Sequence, residues 1–237
     1  MKQLKLALLA LTLSSAIVAP VFAQTAEEII KKHIDAIGGA DNWRKINSVK
    51  MVAAINANGM EIPLNMTVLQ NKGMKVDFTI NGMTGWQILT DKAGWAYAPF
   101  AGQTKPEAMT EEMLKQSQDQ LDIQGGLIDY QQKGNKVAYL GKDDADGTEC
   151  YKLKLTYKSG KEETVFIDAS NYYHIRSKTK VKADGKEQEL TSNMGNFQKL
   201  PEGIVYPMSL DNGFGPMTIK SVEVNKPIPD DFFKPKE

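Results

Sequence analysis

The chain has 237 residues, 41% of them hydrophobic, with 29 basic and 29 acidic side chains. That composition is rich enough to bury a core and too evenly charged for a nucleic-acid surface, so a disordered chain and a nucleic-acid binder are both excluded. Two histidines and a single cysteine supply little metal-ligating material and no internal disulfide, so neither a metal nor another cofactor is expected.

Lys2 and Lys5 precede an apolar run from Leu6 to Val18, and Val21-Phe22-Ala23 places small residues where a signal peptidase reads. This pattern predicts a cleaved signal peptide over residues 1–23; the apolar run is too short for a retained anchor. The mature chain would begin at Gln24 with no cysteine to lipidate, so an exported, soluble protein is expected. Removing 23 of 237 residues leaves 214, a single domain over 24–237, with 27 basic and 29 acidic side chains and a net charge of −2.

The mature sequence opens on a helix. Thr25 and Glu28 have capping-box spacing, and Ile30, Ile34 and Ile37 form an apolar stripe one turn apart. Gly38 suits a left-handed helix cap, and Asp41 is placed to cap a second short turn carrying Trp43 and Ile46. His33, beside the stripe, reads as a packed residue rather than a ligand.

Strands follow. Asn58-Gly59 marks a two-residue hairpin that pairs Ile55 with Ile62, Ala53 with Leu64, Met51 with Met66 and Val49 with Val68. A three-residue loop at Asn71-Lys72-Gly73 is then expected to pair Val68 with Val76, Met66 with Phe78 and Leu64 with Ile80, leaving Thr67, Asp77 and Thr79 on the other face. "WQILT" and "WAYAPF" are read as two further strands of the same apolar row, bringing in Trp86, Ile88, Trp95 and Tyr97. Alternation then stops. Pro106 to Ile123 carries Met109, Met113 and Leu114 at helical spacing among Glu, Lys and Gln, which predicts a helix ending at Gly125-Gly126.

Strands resume near Val137. Tyr151, Leu153, Leu155 and Tyr157 alternate with Lys152, Lys154 and Lys158, and a loop at 159–161 is expected to pair Leu155 with Val165 and Leu153 with Ile167. It would also set Lys158 opposite Glu162 and Lys152 opposite Asp168. His174, Arg176, Lys178, Lys180 and Lys182 share one strand face; an Asp184-Gly185 turn sets Lys182 against Glu187 and Lys180 against Glu189, leaving the His174–Lys178 end to attract a partner. The whole reads as about a dozen strands in an antiparallel meander, interrupted once by a helix.

Motifs that carry chemistry are lacking. HExxH spacing and a GxSxG elbow do not occur, the Asp143–Glu149 stretch has the wrong residues at both ends of a calcium loop, and "GFGPM" at Gly213 is a turn. No catalytic residue is assigned, and Cys150 reads as a small packing residue. What remains is a soft apolar surface: Met51, Met66, Met109 and Met113 fall where helices should cover the sheet, which suits a cavity for a flexible acyl chain.

With these elements placed, the chain resembles the periplasmic outer-membrane lipoprotein carriers, the LolA/LolB-like superfamily, in its diverged lipoprotein-sorting branch. "AEEIIKKHIDAIGGADNWRKINSV", the single helical insertion and the ending "VEVNKPIPDDFFKP" carry the resemblance. It implies a mainly β fold: an antiparallel meander curled into an incomplete half-barrel around an apolar cavity, covered by the N-terminal helix and a lid helix at about 106–123. The cavity would be lined by Met51, Leu64, Met66, Val68, Val76, Phe78 and Ile80, by Trp86, Ile88, Trp95 and Tyr97, and by Leu153 and Leu155; Met109, Met113 and Leu114 would face it from the lid. The implied role is periplasmic carriage of lipid or lipoprotein acyl chains between membrane-bound donor and acceptor proteins. A lipid-sensing regulatory domain bound to a membrane signalling partner, and an enzyme with two carboxylates inside the cavity, are the competing readings.

Overall fold

The computed structural model describes residues 25–183, 186–229 and 231–235; the expected signal peptide and the Asp184-Gly185 turn lie outside them. The capping box forms: Thr25 Oγ1 accepts the Glu28 amide, and the Thr25 amide donates to the Glu28 carboxylate, opening α1 (Ala26–Ala36). Gly38 ends it at φ +104°, and a Cβ there would lie 2.2 Å from the Gly203 carbonyl, so the helix end and a distant turn approach closely enough to require glycine. The following α2 (Ala40–Arg44) is capped by Gly39, not by Asp41, whose carboxylate pairs instead with Arg44.

Six strands follow: β1 (Ser48–Ala57), β2 (Met60–Leu69), β3 (Gly73–Ile80), β4 (Met83–Thr90), β5 (Gly94–Tyr97) and the two-residue β6 (Glu107–Ala108). After α3 (Glu111–Ser117) and a 3-10 turn at Gln118–Leu121 come β7 (Lys136–Ala145), β8 (Thr148–Thr156), β9 (Glu162–Asp168), β10 (His174–Ala183), β11 (Lys186–Lys199), β12 (Val205–Asp211) and β13 (Pro216–Val224). Among the described residues these make one antiparallel sheet of 13 strands in the order β6-β5-β4-β3-β2-β1-β13-β12-β11-β10-β9-β8-β7, and it does not close into a barrel.

That order explains the covered face. The chain meanders outward from β1 to β6, then re-enters at the opposite edge as β7 and meanders back until β13 pairs with β1. Residues 109–135 must therefore cross from one edge to the other. They do so as a strap, and its apolar side chains land in chain order across the sheet. Leu114 and Leu121 pack with Val68, Met74 and Leu89. Ile128 packs with Val49 and Val224 at the centre, and Leu127 with Leu153, Leu155 and Val165 beyond it. α1 lies over the same far strands through Ile29 and Ile30.

Hydrogen bonds pin the strap. Gln70 donates to Asp122 at 2.8 Å and accepts the Ile123 amide at 2.6 Å; Lys133 reaches Asp122 at 2.6 Å and the Gly125 carbonyl at 2.8 Å. The strap is not the single helix expected over 106–123. Residues 107–109 extend the sheet edge, the Met109 amide donating to the Gly94 carbonyl at 2.8 Å, and Thr110 then caps α3 through the Met113 amide. Met109 therefore precedes the helix and packs with Leu89 and Met74, whereas Met113 is 53% exposed. Helical spacing had placed both on one stripe; an edge strand and a strong N-cap took the first of them.

The β1–β2 hairpin has the expected register at all four pairs. Two other hairpins are offset by two residues. Leu64 pairs with Phe78, Met66 with Val76 and Val68 with Met74; Leu153 pairs with Val165 and Leu155 with Glu163. A two-residue offset keeps every side chain on its face, so the apolar row survives while the partners change. Lys154 pairs with Glu162 and Lys152 with Asp143, in place of the expected Lys158–Glu162 and Lys152–Asp168 pairs.

Candidate functional site

Residues opposite one another in paired strands share a face, so the register assembles the strap-side face row by row. At one end of the strands Val224, Val49, Val68, Met74 and Leu89 form a row that is buried throughout. The next two rows, Val222–Met51–Met66–Val76 and Ile219–Ala53–Leu64–Phe78, are buried at Met51, Ala53 and Ile219 and half-buried at Met66, Leu64, Val76 and Phe78. The last row runs across five strands as Met194, Leu210, Met217, Ile55 and Ile62, and every member is half-buried. The sheet thus carries an apolar trough that is closed under the helices at one end and opens toward the other. Ile80 lies on the same face, opposite Met83.

Hairpin tips surround the open end. Met60, Met83 and Phe214, on the β1–β2, β3–β4 and β12–β13 turns, are 45%, 41% and 72% exposed, far more than residues of their size in the trough. Phe100, in the 3-10 turn after β5, packs against Phe78 at a ring distance of 5.5 Å.

Four of the residues expected to line the cavity lie elsewhere. Trp86 pairs with Asp77 and Ile88 with Lys75, and Tyr97 and Trp95 pair with Trp86 and Ile88. All four share the face opposite Val76 and Phe78, where the C-terminal Phe232 ring lies 5.4 Å from Lys75 Nζ. The inward residues of β4 are Met83, Gly85, Gln87 and Leu89. In "WQILT" apolar residues fall on both parities, so alternation could not choose the face. Leu153 points inward as buried core beneath α1, and Leu155, of the same cluster, also lines the cavity described next.

A cavity of about 1010 Å³ lies between α3 with its 3-10 turn and β8–β11. Its wall is mixed. Leu155, Val165, Leu190 and Met194 line it together with Tyr157, Glu163, His174 and Ser177. The Tyr157 hydroxyl donates to Glu163 Oε2 at 2.6 Å, and the Ser177 hydroxyl hydrogen bonds to Glu163 Oε1. His174 Nε2 faces Ser177 Oγ at 2.9 Å and the Arg176 carbonyl at 3.0 Å. Burial pushes the Tyr157 phenol well above its ordinary range, with the Glu163 charge adding to it. Burial also holds the His174 imidazole below its usual value against the opposing pull of Glu163.

This cluster contains the residue types of a hydrolytic triad but not its wiring. Ser177 has one hydroxyl hydrogen, and Glu163 receives it. The imidazole Nε2 facing the same oxygen then donates, so it is not a base for Ser177, and the carboxylate touches the serine rather than the imidazole. A second carboxylate, Asp119, does line the cavity, but Lys161 holds it at 2.7 Å. Cys150 is buried, and burial pushes its thiol up to about 11, away from thiolate chemistry.

The basic stripe of β10 is also altered. A bulge between His174 and Arg176 turns His174 inward to join Ser177. Arg176 pairs with Asp146, Lys178 with Glu189 at 3.1 Å and Lys180 with Glu187 at 2.5 Å. The end expected to attract an acidic partner is thereby engaged within the chain.

Solved structures share this fold. A LolA superfamily protein from Nitrosomonas europaea superimposes with a TM-score of 0.55 over 90% of this chain and 99% of its own, at 16% identity. A putative outer membrane lipoprotein-sorting protein domain from Vibrio parahaemolyticus gives 0.54 over 87% and 95%, at 12% identity. The fold is LolA-like. No protein-family model and no curated protein matches the sequence. At such low identity the LolA-like likeness concerns the path of the chain, and the residues of the trough and cavity must be read from this molecule alone.

Sequence reading missed Glu163 and Ser177 as inward residues, although a signal was present. In "EETVFI" Glu163 has the parity of Val165 and Ile167, a carboxylate on the apolar side of a strand. Met194, Leu210 and Met217 line up through the β11–β13 pairings, and they join Ile55 and Ile62 in one row only when β13 returns to β1.

Proposed function

We propose that this protein is a periplasmic carrier of lipid or lipoprotein acyl chains, exported by cleavage after Ala23 and working between membrane-bound donors and acceptors. The sheet serves as an incomplete half-barrel, and the acyl chain lies in its trough. The observation that carries this reading is the row Met194–Leu210–Met217–Ile55–Ile62: five apolar side chains aligned across five strands, each left half-buried. Burying a methylene there is worth about 0.8 kcal/mol, so a long chain gains several kcal/mol by leaving water. The exposed Met60, Met83 and Phe214 tips give a departing chain apolar contact at the mouth. The likeness in fold to the putative outer membrane lipoprotein-sorting protein domain supports the same reading.

The test is binding of a neutral fluorescent acyl ester to the purified protein, with native mass spectrometry of protein taken from its own periplasm. We expect saturable binding that Leu64→Asp weakens at least tenfold, and co-purifying lipid. A protein that neither binds the probe nor carries lipid would end the carrier reading.

A further inference from the structure

We propose that the cavity under α3 is a headgroup site that selects a primary ammonium tethered to acyl chains. This rests on the carrier reading and adds to it what the cargo must look like at its polar end.

The argument starts from Glu163. It sits in the inward row Val137–Leu155–Glu163–Thr179–Leu190, where its cross-strand neighbours are Leu155 and Thr179. A carboxylate half-buried beside leucine loses hydration and calls for a compensating charge or hydrogen bonds. It receives two hydrogen bonds, both from neutral hydroxyls, one on each oxygen. A carboxylate offers about four lone-pair positions, so capacity remains on both oxygens. Cations near it are committed elsewhere: Lys161 to Asp119, Lys154 to Glu162 and Lys180 to Glu187. Among the described residues no lysine, arginine or histidine lies within ion-pair reach of Glu163. Burial disfavours the charged form of the nearby His174.

Space and continuity complete the case. The cavity in front of Glu163 is about 1010 Å³, far larger than a bound water needs. Leu190 and Met194 line it, and Met194 is also the first member of the open apolar row. A molecule with its chain along that row therefore has its polar end beside Glu163. Lys115 of α3 lines the same cavity with no ion pair among the described residues, and it suits a phosphate beside the ammonium. Two sources carry the required chemistry: an ethanolamine phospholipid, and a diacylated N-terminal cysteine with its amine free.

The experiment displaces the neutral fluorescent ester with lysophosphatidylethanolamine and lysophosphatidylglycerol of equal chain length. It is repeated with a diacylcysteinyl peptide whose amine is free or acetylated. In the wild type an amine-bearing ligand should displace the ester at about one tenth of the concentration its amine-less partner requires, as a charge-assisted hydrogen bond predicts. The phospholipid pair and the peptide pair show which source is preferred. Glu163→Gln should bring the members of each pair together, whereas damage to the whole fold would weaken both in parallel. Tyr157→Phe removes a competing hydroxyl and should widen the gap, giving a second reading if Glu163→Gln does not fold. Displacement without preference in the wild type, or a preference that survives Glu163→Gln, would overturn the headgroup site and leave the carrier reading standing. Failure of the ester itself to bind would remove both.

Discussion

The two ends of the same strands carry the same alternation and have different fates. At the closed end Val49, Val68, Met74 and Leu89 lie under Leu121 and Ile46 and are core. At the open end Ile55, Ile62 and Met217 have the same chemistry, parity and strands but remain half-buried. What separates core from site is where the strap and helices cross, not the composition of the strand. An apolar residue is core when something in the chain covers it; left half-covered, it is available to a ligand.

The largest test of that contrast places a charge at each end. Leu121→Asp puts an unpartnered carboxylate among Val68, Met74 and Leu89, and should cost about 4 kcal/mol or more, read as a collapse of the thermal transition. Leu64→Asp in the open rows should cost about 1–2 kcal/mol while losing acyl-probe binding. If the two mutants lost stability equally, the open end would be core.

Acid should attack the closed end next. His33 of α1 is buried, its Nδ1 2.8 Å from the Tyr172 carbonyl, and burial lowers its pKa to about 4. The His174 ring lies 6.4 Å away, and the Lys32 ammonium lies 5.2 Å from the Tyr172 ring. Below the unfolded value of 6.5 the unfolded chain takes up a proton that folded His33 refuses. Its contribution is therefore complete above about pH 6.5 and lost as pH falls toward 4, at about 1.4 kcal/mol per pH unit. Urea unfolding at pH 7 and pH 5 should show the loss, and His33→Gln should flatten the slope to what His174 leaves.

A smaller comparison lies within the strap. Met109→Ala should cost about 2 kcal/mol because its sulfur packs on Gly94 in the closed cluster, and Met113→Ala less than about 0.5 kcal/mol because it meets solvent. Equal melting temperatures for the two would return Met109 to the surface of a helix.

Smallest of all should be Lys161→Met, which releases the 2.7 Å clasp on Asp119 beside the cavity. A partly exposed pair contributes about 1 kcal/mol or less. The visible effect should be faster probe exchange, and it should shrink at high salt. Unchanged exchange rates at low salt would show that the clasp does not gate the cavity.

The local elements and most of their faces are legible in the sequence. The Thr25–Glu28 capping box, the Asn58-Gly59 hairpin with its four apolar pairs, and the inward set Leu64, Met66, Val68, Val76 and Phe78 follow from period and turn chemistry. These features involve neighbours a few residues apart, so short-range sterics and hydrogen bonding suffice. Hairpin registers at 70–72 and 157–161 were off by two, because longer loops admit several registers of equal parity. The remaining placements depend on packing between elements. Trp86 and Ile88 went to the outer face because both parities of their strand are apolar, and pairing with β3 settles which faces in. Met109 left the helix because the sheet edge offered its amide the Gly94 carbonyl. The five-strand open row exists because β13 returns to β1, and the cavity in front of Glu163 exists because residues 109–135 cross the sheet. The β1–β13 contacts join residues more than a hundred positions apart and the crossing segment meets residues tens of positions away, and no local pattern encodes which apolar surface a distant segment will leave uncovered.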